Sequence, residues 1–491
     1  MSRLRSVEYK WLVAIVFVAG LFMDLLDTTI VNVALPRLGV IFGANTTTLE
    51  WVVTGYLLSL AVWIPASGWL GDRIGTRRVF LFALAAFTIG SALCGLSTSI
   101  GMLIAFRVVQ GIGGGMMTPV GTAMLFRAFP PQERAKASAV LVIPVAIAPA
   151  IGPVLGGLLV DNLSWRWIFY VNVPVGIAAF IFAFLFLKES REDNPGKFDI
   201  AGFLLSAAGL PLVLYALAEA PNRGWTSLVV LGTGLGGIAL LALLVIVERR
   251  VEQPMLTFRL FGDRIFRSAT ITMFWASAAF VGLLFLLPLY LQNLRGLSAT
   301  QSGLTTFPQA IGLIMMSRYV SKLFSTVGPR RLMMIGTLGA AIASLAFQFV
   351  GLETSQWWIR LIMLFRGMSF AFALIPVQAA TFSNVKPHDT GRASSLFNTN
   401  RQVASSVGVA IVATVLLDRS NTRIAGALRG IVDPVAQAHA KANASMAAFH
   451  DAYLAVLVIA LLAFVATFLI HDEDAAASMV PKTPGDAPAV H

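Results

Sequence analysis

Charge is what this sequence has least of. Only 12% of its 491 residues are Asp, Glu, Lys or Arg, about half the share of a soluble globular domain. Too little charge remains to cover a water-facing surface, which excludes an ordinary soluble enzyme. Cysteine occurs once, at Cys94, so an intrachain disulfide and a cysteine-held metal cluster are both excluded. The five histidines are scattered and form no His-Glu-x-x-His pair, so no metal is expected. No Gly-x-x-x-x-Gly-Lys-Ser/Thr loop is present to cradle a nucleotide, and no Gly-x-Ser-x-Gly elbow to hold a nucleophile. ATP drive and enzymatic catalysis within this chain are not expected.

What is abundant is apolar: 57% of the residues are hydrophobic, and the mean hydropathy is +0.79. Runs of about 20 apolar residues, each long enough to cross about 30 Å of hydrocarbon as helix, recur along the chain. Fourteen are legible, near 11–35, 50–70, 79–97, 101–126, 137–160, 165–187, 199–218, 227–247, 267–291, 301–323, 330–350, 357–382, 392–417 and 449–470. The net charge of +12 does not imply a nucleic-acid partner, because the basic residues cluster in short loops between these runs. That pattern fits membrane topology and contact with anionic headgroups. The basic turns near 71–78, 127–136, 188–197, 249–267, 322–331 and 386–392 are expected in the cytoplasm, together with both chain ends. The stretch 418–448 then becomes the longest external loop.

The chain echoes itself. The turn at 71–78 has a degraded partner in Gly328-Pro329-Arg330-Arg331, and Arg107 followed by Pro119 returns as Arg366 followed by Pro376. The expected fold is an all-α membrane protein of fourteen transmembrane helices, two pseudo-symmetric six-helix bundles plus an inserted pair. Its divisions are a first bundle at 1–187, a linker and two additional helices at 188–266, and a second bundle at 267–471. The polar tail 472–491 is expected to be disordered.

Three stretches of the first half carry chemistry. Asp24 and Asp27 are spaced to share one helical face, and Asn32 extends the polar stripe. A carboxylate at membrane depth is costly unless paired, hydrated or protonated, so both are candidates for proton coupling. A structural hydrogen bond near the outer interface is the competing reading. Arg107 and Gln110 lie in an apolar run followed by Gly111, Gly113, Gly114 and Gly115, which permit close helix approach. Arg107 either tunes a nearby carboxylate or forms a structural ion pair. The turn Gly68 to Arg78 holds Gly71, Asp72, Arg73, Gly75, Arg77 and Arg78, the material of a tight charged reversal. Asp72 is expected to act there as a latch, contacting a helix end or a basic partner.

Further on, Pro144, Pro149 and Pro153 mark a bent helix that ends in Gly152-Pro153-Val154-Leu155-Gly156-Gly157. The second half has no carboxylate inside a span. It offers Arg318, Arg366, Asn398, Arg401 and Gln402 as charged or polar groups, and the last four form its expected polar cavity. Trp51, Tyr56, Trp63, Trp275, Tyr290, Phe307, Met315 and Phe397 are either packing residues or the lining of an apolar cavity.

Taken together these stretches resemble the Major Facilitator Superfamily, in particular its fourteen-span drug:proton antiporter branch. Gly68 to Arg78 is similar to the superfamily's signature loop, Leu26 to Pro36 to the first-span motif of the branch, and Arg107 to Gly115 to its fourth-span motif. Gly152, Pro153, Gly156 and Gly157 match the motif associated with antiporters. The resemblance implies two bundles around a central cavity that opens alternately to each side. It implies export of small lipophilic substrates from the cell (inner or plasma) membrane, driven by protons without a cofactor. Membrane lipids and protons are then the partners, and the chain is expected to be a monomer. A dedicated exporter of one metabolite, lipid or antibiotic fits the same residues, and a membrane-embedded enzyme or receptor is the remote alternative. The departures are an eroded second signature loop and a second half without membrane carboxylates.

Overall fold

The computed structural model describes residues 8–193, 196–251, 254–429 and 432–479. Among them no strand occurs; the chain folds as α-helices joined by short turns. In order these are α1 (Tyr9–Phe42), α2 (Thr46–Ile74), α3 (Thr76–Leu96), α4 (Ile100–Ala128), α5 (Arg134–Asn162), α6 (Trp167–Tyr170), α7 (Asn172–Phe186) and α8 (Ile200–Arg223). There follow α9 (Leu228–Glu248), α10 (Arg264–Pro288), α11 (Ala299–Thr306), α12 (Pro308–Val327), α13 (Pro329–Ala346), α14 (Gln356–Thr381), α15 (Thr390–Ala427) and α16 (Pro434–Ala466). The sixth span is α6 with α7, and the tenth is α11 with α12, broken where Pro308 lacks an amide hydrogen. Among the described residues thirteen helical segments are long and apolar enough to cross a membrane. The tenth span falls short because α12 carries Arg318 and Lys322, yet it packs between α14 and α5 like any span.

Side-chain caps fix several helix starts. Asn45 accepts from the amide of Thr48 at 2.9 Å and Ser99 from that of Met102 at 3.2 Å. In the first half α4 packs on α2 and α3, and α1 on α5. In the second, α14 packs on α12 and α13, and α15 on α10 and α16. The halves meet along two seams, α2 with α15 and α5 with α12. The hairpin α8–α9 lies over the first seam, with α8 against both α2 and α15. There Trp51 stacks on Tyr215, Trp63 packs on Phe203, and Trp69 packs on Phe198 just ahead of α8.

Both described chain ends lie at one end of the molecule, which we call the base. At the base, Tyr9 donates weakly to the carbonyl of Lys188, and Lys10 pairs with Glu133 at 2.7 Å. The α2–α3 turn rests on the segment that follows α7. Gly75 has φ +110°, and a Cβ there would lie 2.2 Å from the Glu189 carboxylate, which accepts from the Arg77 amide at 3.0 Å. The α12–α13 turn repeats this arrangement. Gly328 has φ +89°, Asp472 occupies the place of Glu189, and its carboxylate accepts from the Arg330 amide at 2.9 Å. The second loop, eroded in sequence, therefore keeps the same clasp.

Two expectations are corrected. Residues 472–478 are not disordered but form a 3-10 turn held by Asp472 and by Asn384, which donates to the Asp474 carbonyl at 3.0 Å. The remainder of the tail, 480–491, lies outside the described residues, as do Asn194 and Pro195 of the linker. The expected loop 418–448 is mostly helix, because α15 and α16 continue as polar, alanine-rich turns. Arg423 and Asp451 pin the two extensions at 2.8 and 2.9 Å.

Candidate functional site

The polar residues of α1, α4 and α7 converge inside the first half. Asp27 is fully buried and accepts from Gln110 Nε2 at 2.9 Å, from Asn172 Nδ2 at 3.1 Å, and from Arg107. Arg107 also donates to Gln110 Oε1 at 2.8 Å and, through Nε, to the carbonyl of Val52 at 3.0 Å. Its guanidinium stands 4.1 Å from the centre of the Tyr56 ring. Tyr56 in turn donates its hydroxyl to Asp24, whose other oxygen accepts from Thr118 at 3.3 Å. Asp24 retains 8% exposure, whereas Asp27 has none. Across the boundary between halves, the Arg401 guanidinium of α15 lies within electrostatic reach of Asp24.

The glycines of α4 make this assembly possible. A Cβ on Gly114 would lie 2.6 Å from Tyr56 Oη and 3.2 Å from Asp24 Oδ1. Gly111 admits Ser59 and the Tyr56 backbone, and Gly113 admits α3 at Phe87. Without these gaps the Tyr56 hydroxyl and the Asp24 carboxylate could not meet. On α5, Gly152 abuts Thr29 and Gly156 abuts Ile30 and Val33, so these two antiporter-motif glycines seat α5 on α1. Pro153 lies within the same uninterrupted helix, and Gly157 faces open space.

The base is closed around the other candidate group. Asp72 is buried, and its carboxylate accepts from Arg127 Nη2 at 2.8 Å. A Cβ on Gly391 would lie 2.8 Å from it, which places the carboxylate beside the first turn of α15. There it meets the positive end of that helix. Around this pair the halves touch directly. Gly68 donates to Ser395 Oγ at 2.9 Å, Ser394 to the carbonyl of Pro119 at 2.6 Å, and Arg127 to that of Pro387 at 3.2 Å. Of the remaining loop residues, Gly71 is buried, Arg77 donates to the carbonyl of Phe184 at 2.6 Å, Arg78 approaches Glu189 at 3.7 Å, and Arg73 is exposed.

Other candidates lie elsewhere. Asn32 is exposed and donates to the carbonyl of Thr28 of its own helix, at 3.1 Å. The expected polar cavity of the second half is not assembled. Arg366 is buried against Gln309 and the carbonyl of Phe280, the latter at 2.8 Å, so neutral acceptors stand where Arg107 has a carboxylate. Asn398 is buried and bonds back to Ser394 at 2.9 Å, while Gln402 faces α2 and α8 beside Ala61 and Leu210. Arg366 stands on α14 and bonds there to Gln309 and Phe280, away from the α15 residues. Trp63 packs against Phe203 of α8, Trp51 stacks on Tyr215 at the exposed edge of α8, and Tyr56, Tyr290 and Phe397 are buried in cores. Asn172, which also donates to Ser91 Oγ at 3.2 Å, is not among the candidates read from the sequence. An asparagine in the otherwise apolar sixth span was the available signal.

Two related helical halves, a closed base and charged groups buried within them define a polytopic membrane transporter rather than an enzyme. The chain belongs to the Major Facilitator Superfamily, whose family description it matches over residues 17–409. It is 34% identical over 464 residues to a multidrug resistance protein B homolog of Mycobacterium tuberculosis (strain ATCC 25618 / H37Rv), covering 90% of this chain and 86% of that one. To a putative multidrug resistance protein MdtD of Serratia proteamaculans it is 35% identical, covering 84% and 85% respectively. Solved structures share the fold. The human organic anion transporter MFSD10 superposes with a TM-score of 0.62 at 17% identity, over 94% of this chain and 99% of that one. The proton:xylose symporter XylE gives 0.60 at 14% identity, over 94% of each chain.

Proposed function

We propose that the protein is a proton-coupled secondary exporter of lipophilic and amphipathic compounds, drugs included, working by alternating access. The observation that carries this reading is Asp24, a buried carboxylate of the first half within electrostatic reach of Arg401 of the second, joined through Tyr56 to the Asp27–Arg107 pair. Either a proton or a lipophilic cation neutralises Asp24, but not both, so the two ligands exclude each other, as antiport requires. Arg401 opposes a second positive charge at that point, which disfavours multivalent cations. The base faces the cytoplasm of a cell-membrane protein whose termini are both inside, in keeping with its excess of Lys and Arg. In the base-closed state described here, Asp72 and Arg127 hold the cytoplasmic side shut. The bundles at 1–187 and 267–471 rock against each other, with the pair in 188–266 riding on the α2–α15 seam. No cofactor takes part, and one chain is the working unit. The names of the relatives support the drug substrates. Dye efflux driven by a proton gradient in everted vesicles tests the reading: wild type concentrates the dye and Asp24→Asn does not. Undiminished efflux in that variant would overturn the role of Asp24.

A further inference from the structure

The two seams between the halves are treated differently. The α2–α15 seam is covered by α8, but among the described residues no helix lies over the α5–α12 seam. The buried face of α12, with Gln309, Gly312, Leu313, Val320 and Phe324, packs on α14 and α5, and those two helices also touch each other. The opposite face of α12 therefore points away from the centre, into the bilayer. On it stand Ile311, Met315, Arg318, Tyr319 and Lys322, all exposed, with Tyr319 at 61%.

The internal repeat sharpens the contrast. Counted from Gly75 and Gly328, Lys322 holds the place of Trp69, which Phe198 covers, and Arg318 holds the place of Pro65. Where the first half has a tryptophan packed on Phe198, the second has an exposed lysine, with an exposed arginine one turn away. At 1.5 Å per residue, Lys322 lies about 8 Å and Arg318 about 14 Å from the end of α12 at the base. Long side chains reach back toward the interface from such depths. Among the described residues neither makes an ion pair, and a cation in hydrocarbon without an anion is costly.

We propose that this face of α12 binds an anionic phospholipid of the cytoplasmic leaflet, its phosphate on Arg318 and Lys322 and its acyl chains along Ile311 and Met315. The lipid then covers the outward face of α12. A lipid phosphate is the anion that the membrane offers at this depth; an inward-facing base, as proposed above, places it in the correct leaflet.

Native mass spectrometry of the full-length protein, titrated with phosphatidylglycerol or phosphatidylcholine, tests the assignment independently of transport. Each basic residue near the surface contributes about fivefold in affinity for an anionic lipid. Arg318→Gln with Lys322→Gln should therefore weaken phosphatidylglycerol binding about 25-fold and leave phosphatidylcholine binding unchanged. Arg318→Lys should keep most of it. Both side chains are exposed, so the melting temperature should not move. Equal binding of both lipids by wild type, or unchanged phosphatidylglycerol binding in the double variant, would overturn the proposal. So would a dimer that the double variant abolishes, since the occupant would then be a second copy.

Discussion

Asp24 and Asp27 stand three residues apart on α1 yet meet different surroundings. Asp27 is saturated by Arg107, Gln110 and Asn172, whereas Asp24 has Tyr56 and Thr118, a small residual exposure, and Arg401 within electrostatic reach. Removing one partner of a fully buried ion pair leaves the other uncompensated, at a cost of about 3–5 kcal/mol. Asp27→Asn should therefore lower the midpoint of thermal unfolding clearly, while Asp24→Asn, which still accepts from Tyr56, should leave it nearly unchanged. Equal midpoints would contradict the division of labour between the two carboxylates. The charged members of this site were legible in the sequence, because a carboxylate or guanidinium inside an apolar run is conspicuous. Tyr56 as the link between them was not, since its role depends on how α2 packs against α4. Its hydroxyl enters the space that Gly114 leaves open.

At the scale of helices, the closed base depends on α2 approaching α15 without side chains between them. A Cβ on Gly68 would fall 2.5 Å from the carbonyl of Gly391. Gly68→Ala should hold the two helices apart and populate the base-open state. A cysteine placed at Ser395, in a protein whose native Cys94 is buried, should then react faster with a water-soluble maleimide. An unchanged labelling rate would count against this seam as the gate. The helices themselves were readable from hydropathy, with two failures of physical origin. Polar, alanine-rich turns beyond the bilayer do not differ in composition from a loop, so the extensions of α15 and α16 went unread. The clasp at Gly328 was invisible because its acid, Asp472, comes from the far end of the second half.

For the whole molecule, the repeat makes the segment after α16 part of the fold. Truncation after Met479 should leave stability and transport intact, because the clasp and the 3-10 turn remain. Truncation after Ile470 removes Asp472 and Asp474 and should cost both. Thermal unfolding and dye efflux of the two truncations decide the matter, and equal behaviour would deny the clasp its importance. The central claim is that substrate and proton compete for Asp24 while the halves alternate around it. Its most direct measurement is proton release from purified protein in weakly buffered detergent on addition of tetraphenylphosphonium, a lipophilic cation. The account predicts release by wild type and none by Asp24→Asn; undiminished release from that variant would contradict it.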